Sequence, residues 1–115
     1  MTPSADRSGR SAFAGVVVVS LVVLFAPAGD VPGAPPGVDK LVHGALFLVL
    51  AMTGRWAGFR AGVLGPALVL YAASSEVLQG MDAIGRTASV ADWLADVAGL
   101  LTGLALWALL VVRRR

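Results

Sequence analysis

Four apolar stretches, at about residues 11–28, 41–57, 61–78 and 90–112, take up most of this 115-residue chain. Each lies near the roughly 20 residues that a helix needs to cross a hydrocarbon core of about 30 Å. A soluble domain of this length cannot hide so much apolar surface: 57% of the residues are hydrophobic and 14% charged, against about 25% charged in ordinary soluble domains. Lipid offers no hydrogen-bond partners, and no stretch alternates apolar and polar residues at period 2, so the spans are expected to be helices and not barrel strands. The expected fold is an all-α polytopic bundle of four transmembrane helices.

Charge placement gives that bundle an orientation. Arg7, Arg10, Arg55, Arg60, Arg113, Arg114 and Arg115 fall on one side, and only Lys40 and Arg86 on the other. The side rich in Lys and Arg is cytoplasmic under the positive-inside rule, so both termini are expected inside. Residues 1–10 (MTPSADRSGR) read as a short disordered cytoplasmic tail, 11–112 as a single membrane domain and 113–115 as a basic cytoplasmic end. Arg7 and Arg10 before a short apolar run, with Ala26-Pro27-Ala28 after it, also spell a cleavable signal peptide. The hydrophobicity of the remaining chain, which needs helical partners, favours a retained span; residues 29–40 are external either way. Arg60 follows Trp56 after very few residues, so the second and third spans should form a tight hairpin, and Pro66 sits close enough to the start of the third to be tolerated.

Some function classes are excluded at this stage. With no cysteine in the chain, disulfides, thiolate nucleophiles and Cys-containing metal sites are ruled out. The sequence pI of about 9.9 does not indicate a nucleic-acid partner, because the arginines sit at span ends and do not line one face. There is no internal repeat of the kind that paired transporter halves show.

The few polar residues of the apolar region concentrate at the external end. Asp39 and His43 are four apart, with Phe47 one turn deeper on the same face. Asp39 reads as a helix cap or as the carboxylate that orients His43; His43, inside an apolar run, reads as a general base, a phosphate partner, a metal ligand or a satisfied core residue. Glu76 and Gln79 share a face of the third span, and Glu76 is the first candidate for an acid/base role, its bland alternative being an ion pair with Lys40 or Arg86. Ser75 reads as a helix–helix hydrogen-bond donor and not as a nucleophile. Asp92, Asp96, Gly99 and Gly103 step by four, three and four, so two carboxylates and a Gly-x-x-x-Gly pair lie on one stripe of the fourth span. Ser89-Val90-Ala91-Asp92 is also a capping-box spelling, whereas Asp96, one turn deeper, is harder to explain as a cap.

Catalytic candidates are thus Glu76 and His43, and the groups placed to bind a substrate are Asp39, Lys40, Gln79, Arg86, Asp92 and Asp96, with Gly99 and Gly103 packing the helices. Oxygen and imidazole ligands suit a divalent cation, but the spacing matches no defined metal motif, so no metal or other cofactor is assigned. Lys40 and Arg86 suit a phosphate or carboxylate of an envelope lipid or glycan. A purely structural network that fixes helix register is the remaining alternative.

Asp39-Lys40-x-x-His43-x-x-x-Phe47, Ser75-Glu76-x-x-Gln79, Arg86, Asp92 and Gly99-x-x-x-Gly103 together resemble the VanZ-like family of small bacterial membrane proteins, over about residues 38–104. Members often carry Asn where this chain has Asp96, so this chain adds a potential negative charge there. The resemblance implies a multi-pass protein of the bacterial plasma membrane, on a theme of resistance to the glycopeptide antibiotic teicoplanin, and brings no settled reaction. The function it suggests is engagement of an envelope lipid, a glycan precursor or a lipophilic glycopeptide by the external polar site. A membrane-embedded hydrolase or transferase acting on an envelope lipid is the alternative, and a structural subunit the third.

Overall fold

The computed structural model of the protein describes residues 3–25, 38–79 and 90–114. They form four helices and no strand: α1 (Pro3–Phe25), α2 (Val38–Trp56), α3 (Ala61–Gln79) and α4 (Val90–Arg114). Three of these, over Arg7–Phe25, Ala61–Leu78 and Trp93–Val111, are long and apolar enough to cross a membrane. α2 differs because its charges sit at both ends. Asp39 and Lys40 precede, and Arg55 follows, an uncharged stretch of residues 41–54, about 21 Å of helix at 1.5 Å per residue.

α1 departs from expectation at its start. Residues 3–10 are helical and not a disordered tail. Proline is well suited to the first helical position, where its missing N–H costs nothing, and Gly9 gives the segment a tertiary partner. A Cβ at Gly9 would lie 2.6 Å from the carbonyl of Trp56, so this first part of α1 is seated on the end of α2.

The expected hairpin between α2 and α3 is present, and its closure is local chemistry. Gly58 has φ 104°, the left-handed conformation that glycine adopts without a Cβ penalty. The N–H of Gly58 donates to the Arg55 carbonyl (3.0 Å) and that of Phe59 to the Gly54 carbonyl (3.1 Å), which is the Schellman pattern that satisfies the last carbonyls of a helix. The Arg60 carbonyl then accepts from Val63 and Leu64 to open α3. Pro66 lies inside α3 without ending it.

α2 is the central element. It packs most extensively on α4, and also on α1 and α3, while α1 and α4 do not meet among the described residues. α2 and α4 run parallel with their backbones touching. A Cβ on Gly99 would collide with the carbonyl oxygen of Gly44, and one on Gly103 would lie 2.5 Å from that of Leu48. The apolar core between the helices is Leu24, Phe47, Leu50, Ala51, Leu64, Leu68, Ala72 and Leu100.

The surface is the reverse of a soluble protein's. Of the three candidate spans only 17%, 28% and 22% of residues are buried inside the protein, so most of each apolar helix faces outward. Val22, Leu70 and Val77 are each about two-thirds exposed, which suits lipid and not water. Among the described residues, the buried polar ones are Ser20, His43, Ser75, Glu76 and Asp96.

Candidate functional site

His43 lies on the second turn of α2, Glu76 on the last turn of α3 and Asp96 on the second turn of α4. Since α2 and α4 run parallel and α3 returns between them, these positions come to the same end of the bundle. All three side chains are sealed in: relative exposure is 2% for His43, 6% for Glu76 and zero for Asp96.

A 2.8 Å hydrogen bond joins Nδ1 of His43 to Oδ1 of Asp96. With Asp96 as the carboxylate, the ring N–H donates, which fixes the ring's orientation and leaves Nε2 as the basic nitrogen. Oε1 of Glu76 stands 4.0 Å from the same Nδ1. One ligand-type atom from each of the three residues lies within 4.8 Å of the other two. Below them the floor is apolar. Phe47, one turn after His43, is fully buried and tilts against Tyr71 with ring centroids 5.7 Å apart.

The α2–α4 glycine contact explains why His43 and Asp96 meet. Gly44 follows His43 directly, and Gly99 is one turn beyond Asp96; with no side chain at either, the backbones close and the two polar side chains are brought within bonding range. Gly103 extends the same seam against Leu48 and Ala51.

Other candidates fall differently. Lys40 is exposed one turn before His43. Asp39, Gln79 and Asp92 belong to α2, α3 and α4, but their side chains lie outside the described residues, as does Arg86 entirely. Asp96 of α4 supplies a carboxylate to His43, and the pairing of His43 with Asp39 that the sequence offers lies outside the described residues. Ser75 is buried and donates to the Ala72 carbonyl of its own helix (2.8 Å), where the sequence suggests a bond to another helix. A serine inside a helix has that carbonyl within reach at no cost in ordering a second element.

Sequence reasoning missed Gly44, which is the surface that Gly99 packs on. It also missed the polar contact between α1 and α3. Ser20 donates to the Val17 carbonyl (2.7 Å), and its oxygen lies 2.7 Å from the Tyr71 hydroxyl, which donates to it. A lone serine inside VVVVSLVV, and the only tyrosine of the chain, were the available signals. The indole N–H of Trp93 is buried and has no hydrogen-bond partner among the described residues.

Three helices able to cross a membrane, apolar outward faces and ionisable groups sealed between the helices define a multi-pass α-helical membrane protein. Comparison with family models, curated proteins and solved structures finds no match.

Proposed function

We propose that this chain is a VanZ-like protein of the bacterial plasma membrane, crossing it four times with both termini cytoplasmic, and that its external polar end engages an envelope lipid, a glycan precursor or a lipophilic glycopeptide of the teicoplanin type. One observation carries the reading: His43, Glu76 and Asp96 meet, from three helices, at one end of an otherwise apolar bundle. An ionisable side chain inside a membrane costs a few kcal/mol on insertion scales. The glycine seam already supplies close packing between α2 and α4, so three such groups are more than helix association requires.

The four-span topology is supported by the division of charge. Arg7 and Arg10 lie at the end of the bundle where Gly9 meets Trp56, together with Arg55 and Arg60 and opposite the triad. α2 is short for a lone span, but it is flanked by the other three helices, and Lys40 and Arg55 have stems long enough to carry their charges to the interfaces. Lys40, exposed above His43, and Arg86, which lies outside the described residues, are the groups proposed to dock an anionic headgroup.

The His43–Asp96 bond favours one second reading, a membrane-embedded hydrolase or transferase in which the imidazole oriented by Asp96 moves a proton to or from an envelope lipid.

Two experiments test the proposal. Cysteines introduced singly at Ser8 and Gly33 should label oppositely with an impermeant thiol reagent, Gly33→Cys from outside; external labelling of Ser8→Cys overturns the topology. Protein extracted in mild detergent should carry a co-purifying envelope lipid in native mass spectrometry, and its expression in a susceptible host should raise the teicoplanin concentration needed to stop growth. The absence of both a retained lipid and a change in susceptibility overturns the ligand reading.

A further inference from the structure

The geometry points to a divalent transition-metal site, with Zn²⁺ as its best fit, formed by His43, Glu76 and Asp96. The argument starts from distances. A tetrahedral ion bound to nitrogen and oxygen at about 2.0–2.2 Å holds its ligand atoms about 3.3–3.6 Å apart. Here His43 Nδ1 lies 2.8 Å from Asp96 Oδ1 and 4.0 Å from Glu76 Oε1, and one ligand-type atom from each residue falls within 4.8 Å of the other two. Side-chain rotations that open the closest pair by about half an ångström and draw in the widest by about an ångström bring them onto one ion.

Donor chemistry then selects the metal. One imidazole and two carboxylates, with no cysteine in the chain, suit Zn²⁺ better than Ca²⁺ or Mg²⁺, which take oxygen ligands alone. Three protein ligands also leave a coordination position open, as catalytic and ligand-binding zinc sites do. Charge agrees: a neutral imidazole and two carboxylates sum to −2, which a divalent ion cancels inside an apolar bundle. On binding, the ring proton leaves Nδ1 and Nε2 takes one up, a tautomer change that keeps the imidazole neutral while its Nδ1 lone pair faces the ion.

Placement supplies the second, independent support. The ligands come from three helices, each is more than nine-tenths buried, and two of them are held by backbone contact at Gly44 and Gly99. Rigid secondary elements hold a metal constellation more firmly than loops do. The inference stands apart from the ligand reading, because an ion can be present whether or not an envelope ligand is.

The test uses the full chain, produced without a histidine tag, stripped with a chelator in detergent and titrated with Zn²⁺ alone. About one ion per chain should remain after desalting, and Co²⁺ in its place should give visible absorption bands. Glu76→Gln and Asp96→Asn should each weaken Zn²⁺ binding by roughly tenfold or more, with helical circular dichroism retained. Should either variant fail to fold, X-ray absorption at the zinc edge of the unaltered protein decides: a first shell of one imidazole nitrogen with carboxylate oxygens is expected. A stripped protein that regains no ion, variants that bind as tightly as the parent, or a zinc shell without imidazole each overturn the site. Because no lipid or glycopeptide enters this experiment, its failure is separate from failure of the ligand proposal.

Discussion

Along the seam between α2 and α4 the backbones touch, Gly99 on Gly44 and Gly103 on Leu48, whereas α1 leaves an open apolar groove of about 720 Å³ against α2, lined by residues that include Ser11, Gly15, Val19, Val42 and Val49. The seam has no slack, because a backbone carbonyl cannot swing aside as a side chain can. The groove has room, and a Cβ at Gly15 would meet nothing within 4 Å. Glycine therefore means opposite things in the two places. The contrast also separates what each contact supports: the seam brings His43 to Asp96, while α1 is joined to α3 through side chains, Ser20 to Tyr71.

Breaking the seam should have the largest effect. Gly99→Leu should cost about 3 kcal/mol or more, the upper range for overpacking, since the obstructing atoms are backbone. Thermal unfolding in detergent checks this, and a variant as stable as the parent would contradict the close approach. Next comes the bond that the seam permits. Asp96→Ala removes a buried hydrogen bond between ionisable groups and should cost about 2 kcal/mol, read by the same melts.

Glu76→Gln, measured in chelator-treated protein, should cost less, under about 1 kcal/mol, because its oxygen stands 4.0 Å from the imidazole nitrogen. It should nonetheless abolish whatever glycopeptide protection the parent confers; a stable and fully active variant removes Glu76 from the site. On the α1 flank, a double-mutant cycle with Ser20→Ala and Tyr71→Phe should give a coupling near 0.6 kcal/mol, the average for hydrogen bonds between membrane helices. The smallest effect belongs to the groove, where Gly15→Ala should leave stability unchanged or raise it by up to about 1 kcal/mol through helix propensity. A loss there as large as that of Gly99→Leu would erase the contrast.

Much of the architecture is legible in the sequence because membrane helices announce themselves by length and hydropathy, and because Arg-Trp-Ala-Gly-Phe-Arg at 55–60 leaves no room for a long connection. His43, Glu76 and Asp96 stand out for a related reason: an ionisable residue in an apolar run is rare. That His43 takes a carboxylate from α4 was not legible, since the pairing with Asp96 depends on how far α2 slides along α4. That register is set by Gly44, a residue without a side chain to advertise its role. The helical start at Pro3 was hidden because residues 3–10 are polar, and a glycine seated on Trp56 leaves no trace in hydropathy. Ser75 misled because serine's nearest carbonyl lies on its own helix.

The turn at 57–60 bears on how the chain reaches its membrane. An uncharged stretch of residues 41–54 is shorter than the roughly 20 residues that commit a segment to lipid unaided, so on the proposed topology α2 depends on a neighbour to enter. The Schellman closure at Gly58 ties it to α3, whose own apolar length is sufficient. The hairpin, and not the single helix, then becomes the unit of biogenesis. Lengthening that turn with a flexible insert should strand α2 at the surface while α3 still inserts, a defect of synthesis that no measurement on the folded protein would reveal.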